Sequence, residues 1–398
     1  MTGVAEPRTA GISDALGCQR DAFQLPRDVH YFNCAYMGPL PRVAEEAGFE
    51  AIQKKRVPTR IVPPDSFWDT DRLRELFARL IGTDDPSRIA IQPGVSYGVA
   101  TAASNLPVSA RQNIVITHEQ FPGNVYSWRR AAAESGAELR TVVPPDGRGR
   151  GSGWNERLLE AVDASTAIVA VPNVHWTDGT YFDLVALGRR CRDVGAALVV
   201  DATQSVGALD FDVDEIQPDV LICATYKWLL GPYTLSLAYY GPRFDDGTPL
   251  EETWIARDES RDFQHLVHYK DSYQPGAVRY DVAERSNFFL APIAQASLEL
   301  ILDWRPGRIQ RYCRELTREF LADVGELGYS VEDEAWRSSH LFGLRMPESV
   351  DLNALREALA ARYVSASLRG TALRLAPNVY NDDVDVGVLQ EVLREAVK

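Results

Sequence analysis

Two short runs constrain this chain more than any other feature. Ala196 to Val200 is apolar and β-branched and ends on Asp201, and Asp219 to Cys223 ends just ahead of Thr225, Tyr226 and Lys227. Both charges therefore sit at strand ends. In open α/β sheets the ligand crevice lies outside the carboxyl ends of the strands, so an acid and a lysine delivered there are placed to meet one small molecule. The bland alternative for an isolated pair is two solvated loop charges.

From Arg88 onward, strand-like and helix-like segments alternate, the pattern of a largely parallel sheet. Ile89 to Gln92, Asn113 to Thr117 and Ala167 to Val171 read as further strands, and Leu235 to Tyr240 as an antiparallel return. Helices are expected from Val43 to about Lys55, from Asp69 to Ile81, from Tyr97 onward, from Ala291 to about Trp304 and from Ile309 to Leu327. Residues 1–30 read as a loose arm followed by a short amphipathic piece. Tyr31 to Pro41 reads as an extended segment closed by Gly and Pro, and Pro242 to Pro275 as a long irregular excursion. The glycine-rich stretch Asp146 to Gly153 reads as a flexible surface loop. Its spacing fails G-x-G-x-x-G and no Lys-Ser/Thr follows, so it does not indicate a nucleotide.

Composition narrows the classes. A chain of 398 residues, 45% hydrophobic and 25% charged, is globular and long enough for two domains or one with an appendage. No apolar run approaches the roughly 20 residues a bilayer requires. The start, Met1 to Gly17, lacks the basic head and apolar stretch of a signal peptide, so the expected location is the cytoplasm. Forty-two basic against 56 acidic residues give a net charge of −14 with no basic cluster, which argues against nucleic acid. The five cysteines, Cys18, Cys34, Cys191, Cys223 and Cys313, form no CxxC pair. They read as reduced packing thiols, with no metal site expected.

The sequence Asp201-Ala202-Thr203-Gln204, the Gly207 turn and Thr225-Tyr226-Lys227 followed by Trp-Leu-Leu-Gly-Pro resembles the class V branch of the fold-type I pyridoxal 5′-phosphate (PLP) enzymes. That branch holds cysteine desulfurases, kynureninases, isopenicillin-epimerase-like proteins and aminotransferases. The resemblance spans about residues 28–392. It implies a large domain with a mostly parallel seven-stranded sheet flanked by helices, plus a smaller α+β C-terminal domain. Residues 1–40 would be an N-terminal arm and active-site segment, 41–290 the large PLP-binding domain and 291–398 the small one. A lysine amine can hold the cofactor as a Schiff base and later move a proton at Cα, and an aspartate against the pyridine nitrogen keeps that ring cationic. By resemblance Lys227 and Asp201 take those roles, and Gln204 a hydrogen bond to the cofactor's phenolic oxygen.

Further assignments follow the same resemblance. Gly94, Val95 and Ser96, at a strand-to-helix turn that offers free N–H groups, match the phosphate cup. Ala224 stands where many members have serine, so Thr225 and Tyr226 are expected to share the phosphate. Phe121, in the kynureninase-like Phe-Pro pattern, would stack on the pyridine. His175 is a candidate for orienting substrate or tuning the cofactor, and Trp176 for touching substrate. Asn33 and Ala35 lie in the N-terminal segment that runs along the substrate. Ser286 and Asn287, in the stretch from Gly276, match the segment that family dimers send into the neighbouring site, so a homodimer with shared sites is expected. Arg374, in an Arg-x5-Tyr-Asn pattern with Tyr380 and Asn381, matches the arginine that clamps the substrate α-carboxylate, although Arg369 offers the same chemistry.

One departure bears on reaction type. Desulfurases need a mobile cysteine ahead of the carboxylate arginine, whereas Val364 to Gly370 contains none. The expected activity is therefore PLP-dependent Cα deprotonation of an amino acid or amino-acid conjugate, leaning to β-elimination and carbon–sulfur cleavage. Transamination, epimerisation and kynureninase-like hydrolysis are the alternatives. A non-catalytic PLP-fold binding protein is the reading from a different class, and intact Lys227, Asp201 and Arg374 argue against it.

Overall fold

The computed structural model describes residues 15–147, 149–370 and 372–397. After the two-residue strand β1 (His30–Tyr31) come β2 (Ile89–Gln92), β3 (Asn113–Thr117), β4 (Glu138–Val142), β5 (Thr166–Pro172), β6 (Ala197–Asp201), β7 (Val220–Ala224) and β8 (Ser236–Tyr240). The last seven form one sheet in the order β2-β8-β7-β6-β5-β3-β4. Strand β8 is antiparallel to both its neighbours, and the other pairings are parallel. The crossovers carry the helices α3 (Val95–Asn105), α4 (Tyr126–Ser135), α5 (Arg150–Ala161), α6 (Leu184–Val194) and the single turn α7 (Val213–Ile216), while α1 (Arg42–Lys55) and α2 (Asp65–Ile81) precede the sheet.

Because side chains alternate along a strand, the central strands split between two cores. Leu198 and Val200 of β6 and Leu221 of β7 face a core shared with α2, α5 and α6. Ala197 and Val199 of β6, with Val220 and Ile222 of β7, face a core shared with α3 and α4. Every residue of β6 and β7 is buried. This is why both runs are continuously apolar rather than alternating, as parallel strands covered on both faces must be.

The C-terminal part contains α8 (Leu290–Trp304), α9 (Pro306–Glu326), α10 (Leu352–Ala361) and α11 (Asp383–Ala396), with strands β9 (Phe342–Arg345), β10 (Val364–Ser365), β11 (Ser367–Arg369) and β12 (Ala372–Leu375). A three-stranded antiparallel sheet, β11-β12-β9, packs with α9, α10 and α11 around a third core. Helix α8 instead places Ala291, Ala294, Leu298 and Ile301 in the first core, against α1 and α2. The arm joins the C-terminal layer, since β1 pairs with β10 and Asn33 bridges to Ala376.

Three stretches depart from the sequence expectation. Asp146 to Gly153 is not a surface loop throughout: α5 begins at Arg150, and Gly151 is buried where any side chain would meet Trp336. Strand β4 had no clear sequence signal because it lies at the sheet edge, where its Glu, Arg and Thr stay partly exposed. Ahead of His30 the described part of the arm, where a short amphipathic piece was expected, holds one 3-10 turn, Arg20–Ala22. Arg20 is buried there, bonded to Asp385 at 2.9 Å. The rest of the expected arm, residues 1–14, lies outside the described residues.

Gly207 closes the turn between β6 and the short α7. Its φ is +99°, and a Cβ there would stand 2.5 Å from the carbonyl oxygen of Trp228. Both a left-handed backbone and a backbone clash oppose any side chain. Gly207→Ala is expected to lower stability by about 2 kcal/mol, read as a fall in the urea midpoint; an unchanged midpoint would contradict this packing.

Candidate active site

The parallel strands deliver their following loops to one end of the sheet, as the crevice rule requires. There Pro93 to Ser96 after β2, Gln120 to Gly123 after β3, Val174 and Trp176 after β5, Asp201 to Gln204 at the end of β6 and Ala224 to Lys227 after β7 surround a cavity of about 230 Å³. Tyr233 to Leu235, leading into β8, complete the wall.

Lys227 reaches this cavity from a loop pinned on both sides. Thr225 Oγ1 donates to the carbonyls of Pro232 at 2.6 Å and Leu235 at 2.9 Å, and Gly38 N donates to Tyr226 O at 2.8 Å. Among the described residues the Lys227 Nζ has no hydrogen-bond or ion-pair partner; it faces the rings of Phe121 at 5.3 Å and Tyr226 at 5.6 Å. Burial pushes its pKa down to about 8, against the pull of Asp201 that favours its charged form. Asp201, also buried, is raised from the ordinary carboxylate range by desolvation. Hydrogen bonds from Thr203, including Thr203 N at 3.1 Å, and the charge of Lys227 oppose that rise.

Several expected residues do line the cavity: Gly94, Val95, Ser96, Phe121, Trp176, Asp201, Gln204, Tyr226 and Lys227. Phe121 packs edge-on to Trp176 at 5.6 Å. The Gln204 side chain is fixed from both ends, donating to Ala35 O at 3.1 Å and accepting from Trp228 Nε1 at 2.8 Å. Its second amide hydrogen stays available to a ligand. Gly94 precedes α3, whose first N–H groups have no partner within the helix, and a Cβ at Gly94 would meet nothing within 4 Å.

Others do not reach it. The Thr225 hydroxyl is committed to the two backbone carbonyls above, which corrects its assignment to a phosphate. His175 is fully buried behind the wall. Its Nδ1 lies 2.7 Å from Thr177 Oγ1 and its Nε2 3.0 Å from His118 O, its ring packs on Trp154, and burial lowers its pKa. It braces the loop rather than facing a ligand, so its assignment as a catalytic group is corrected too. Ala35 is buried beneath Gln204. Ser286 Oγ donates to Ser66 O and Asn287 Oδ1 accepts from Phe289 N and Leu290 N at the start of α8, so within this chain both serve local structure.

Arg374 stands just outside the cavity lining, 2% exposed. Its Nη1 donates to Trp176 O at 2.9 Å, and its Nη2 to Asn33 Oδ1 at 3.2 Å and Ser367 Oγ at 3.4 Å. Nε has no partner, and burial followed by the charge of Arg369 pushes the pKa down to about 10. Asn33 thus orients the arginine and does not line the cavity itself. Sequence reasoning passed over Thr203, Tyr233 and Thr234. Thr203 had a legible signal, since an Asp followed two residues later by a polar residue is the spacing of a local Asx turn. Tyr233 and Thr234 had none, because the positive φ of Thr234, +64°, is set by the return into β8.

The donor set fits PLP on the structure's own evidence: an unpartnered buried amine, a buried carboxylate beside it, an aromatic wall, and an open glycine turn at a helix N-terminus. Fold and site together define a fold-type I PLP-dependent enzyme. The family model described as Aminotransferase class-V matches residues 69–249 of this chain. Isopenicillin N epimerase of Streptomyces clavuligerus is 27% identical over 94% of this chain and 96% of its own length. An apo cysteine desulfurase from Thermococcus onnurineus superimposes with a TM-score of 0.82 at 19% identity, covering 96% of this chain and 99% of that one. A cystine C-S lyase, solved with its product cysteine persulfide, does so with a TM-score of 0.81 at 17% identity, covering 94% and 99%.

Protein freed of cofactor offers a direct check on the buried amine. An acylating reagent is expected to label Lys227 with a midpoint near pH 8, ahead of the surface amines Lys54, Lys55 and Lys270; a midpoint near the ordinary lysine value of about 10.4 would refute the burial argument.

Proposed function

We propose that this enzyme removes the Cα proton of an amino acid or amino-acid conjugate with Lys227 and carries out β-elimination, cleaving a bond such as carbon–sulfur at Cβ. The observation that carries the reading is the unpartnered Lys227 amine, the one amine or imidazole in the cavity wall. When bound, PLP supplies an electron sink for charge at Cα. Lys227 takes the proton from Cα and, as an ammonium, returns it to the departing sulfur as the Cβ–S bond breaks with its electron pair on sulfur. Asp201 would hold a proton at the pyridine nitrogen, and Phe121, in the cavity wall, would help exclude water from the ring. Gly94, Val95 and Ser96, at the start of α3, would hold the phosphate, and Tyr226 lines the same cavity. Arg374 binds the α-carboxylate, with Asn33 and Ser367 fixing its plane, and Trp176 lies over the bound substrate.

Persulfide chemistry is a poor fit, because no thiol stands in the wall. Cys34 is buried, accepts from Asn378 Nδ2 at 3.3 Å, and is pushed up to about 12 by desolvation. Cys223 is raised well above its ordinary value by burial. Epimerisation is the second reading, favoured by the full-length similarity to an epimerase. It calls for a second proton donor at Cα; of the two rings that Lys227 faces, Phe121 carries no proton to give, and burial pushes the Tyr226 phenol up to about 12, so Tyr226 is the group this reading would have to use. Transamination, with the same lysine returning the proton elsewhere, needs no further group.

A homodimer is part of the proposal. Trp254 and Phe263, partly exposed on the excursion from Pro242 to Pro275, pack 5.5 Å apart and against Phe67 of α2, and Trp68, Val267 and Tyr269 lie exposed in the same segments. Such an aromatic surface suits a second copy. Asn287 and Ser286 then approach the partner's cofactor. No helix among the described residues is long and apolar enough to cross a membrane, which suits a cytoplasmic enzyme.

Borohydride treatment of the yellow holoenzyme is expected to fix the cofactor on Lys227, and Lys227→Ala to abolish both attachment and turnover. Label on Lys270 would overturn the assignment. Incubation with S-substituted cysteines is expected to release thiol and a keto acid, whereas recovery of the D-enantiomer alone would turn the reading to epimerisation. Replacing each cysteine by alanine in turn is expected to leave turnover within about tenfold, roughly 1.4 kcal/mol in the barrier. Loss of product in one such variant with PLP still bound would return the protein to persulfide chemistry.

A further inference from the structure

We infer that Arg369 recognises a second anionic group, so that the preferred substrate is an amino acid or conjugate whose side chain ends in a carboxylate. The inference deepens the proposed function and rests on its reading of the site as one that binds an amino acid. Strands β11 and β12 pair with Ser367 opposite Arg374 and Arg369 opposite Ala372. Alternation along β11 therefore puts Arg369 on the same face of the hairpin as Arg374. The contacts agree. Arg374 Nη1 bonds the carbonyl of Trp176, while the Arg369 guanidinium lies 5.3 Å from the centre of the Trp176 indole.

Two guanidiniums thus flank one tryptophan, and neither forms an ion pair with a carboxylate among the described residues. Arg369 Nη1 donates only to its neighbour's carbonyl, Leu368 O at 3.0 Å. The Nε of each arginine is buried without a partner. Arg374 is buried and Arg369 only half-buried, and two like charges this close, with no acid between them, favour an anion that neutralises them. Arg374 already answers to one carboxylate, the one on Cα, which leaves Arg369 for another.

The space around the two arginines supports the division. Arg374 lies on the side of Lys227, whose amine its charge helps to depress. Arg369 lines an outer cleft of about 1380 Å³ that shares Gln120 and Trp176 with the lysine cavity. One elongated ligand can therefore run from the first space into the second. Within the cleft Asp178 is taken up by Arg150 at 3.3 Å, Arg345 at 3.8 Å and the hydroxyl of Thr180. Glu332 accepts from Gly151 N and Asp333 N. Glu119, Asp146 and Asp333 line the same cleft, and among the described residues none of them pairs with Arg369 or Arg374. Among the described residues Arg369 is the cation there without an acid, and its fork suits a terminal carboxylate.

Glutamate and 2-aminoadipate, compared with their neutral counterparts norvaline and norleucine, test this on the purified holoenzyme, with dissociation constants read from the change in cofactor absorbance. These probes lack a leaving group at Cβ, so failure of the elimination reading leaves the test intact. At least tenfold tighter binding of one or both dicarboxylates is expected. Arg369→Met is expected to bring that ratio close to one and Arg369→Lys to keep part of it, with melting temperatures unchanged. Arg374→Lys is expected to weaken both classes alike. Equal affinity for the two classes in the native enzyme, or a ratio untouched by Arg369→Met, overturns the inference. Protein purified from PLP-supplemented culture without cofactor absorbance overturns the reading beneath it, and the inference with it.

Discussion

Burying an amine and a carboxylate side by side in a low-dielectric cavity moves both toward neutrality, because desolvation penalises each charge more than their mutual attraction restores it. That balance governs Lys227 and Asp201. The lysine is depressed to about 8 and the aspartate raised, in each case by burial first. An amine that gives up its proton near neutral pH is what a base acting at Cα requires. The condition holds only while the strands that carry the two residues are themselves sealed from water. Strands β6 and β7 run side by side in parallel, with every residue buried between two cores.

The second tier of the site comes from far away in sequence. Arg374 of β12 is held by Asn33 of the N-terminal segment, Ser367 of β11 and the carbonyl of Trp176 beyond β5. The pairing of β1 with β10 and the bridge from Asn33 to Ala376 bring the arm and the C-terminal layer together. The arginine is therefore oriented by neutral acceptors rather than neutralised by an acid, an arrangement suited to binding an anion.

Much of the sheet was legible from residue patterns. Strands β2 and β3 fall where the apolar runs put them, and β5, β6, β7 and β8 within a residue, because sealed strands leave little choice of residue type. Strand β4 and the start of α5 were obscured for opposite reasons. The edge strand tolerates polar side chains, and the glycines ahead of α5 look like a loop while Gly151 in fact yields room to Trp336. In the site, the resemblance identified the residue types, but a residue's type does not reveal its direction. Thr225 turns to the carbonyls of Pro232 and Leu235, and His175 turns inward to Thr177, His118 and Trp154.

The sequence by itself determined the alternating α/β plan, the delivery of Asp201 and Lys227 to strand ends, and the lack of a cysteine from Val364 to Gly370. Each is a property of local order, since periodicity and position along a strand are written in neighbouring residues. The tertiary structure alone decided which of the gathered side chains look into the cavity, how far burial shifts their protonation, and that Arg369 shares a face with Arg374 beside Trp176. Those outcomes depend on contacts between residues tens to hundreds of positions apart, and on the solvent those contacts exclude.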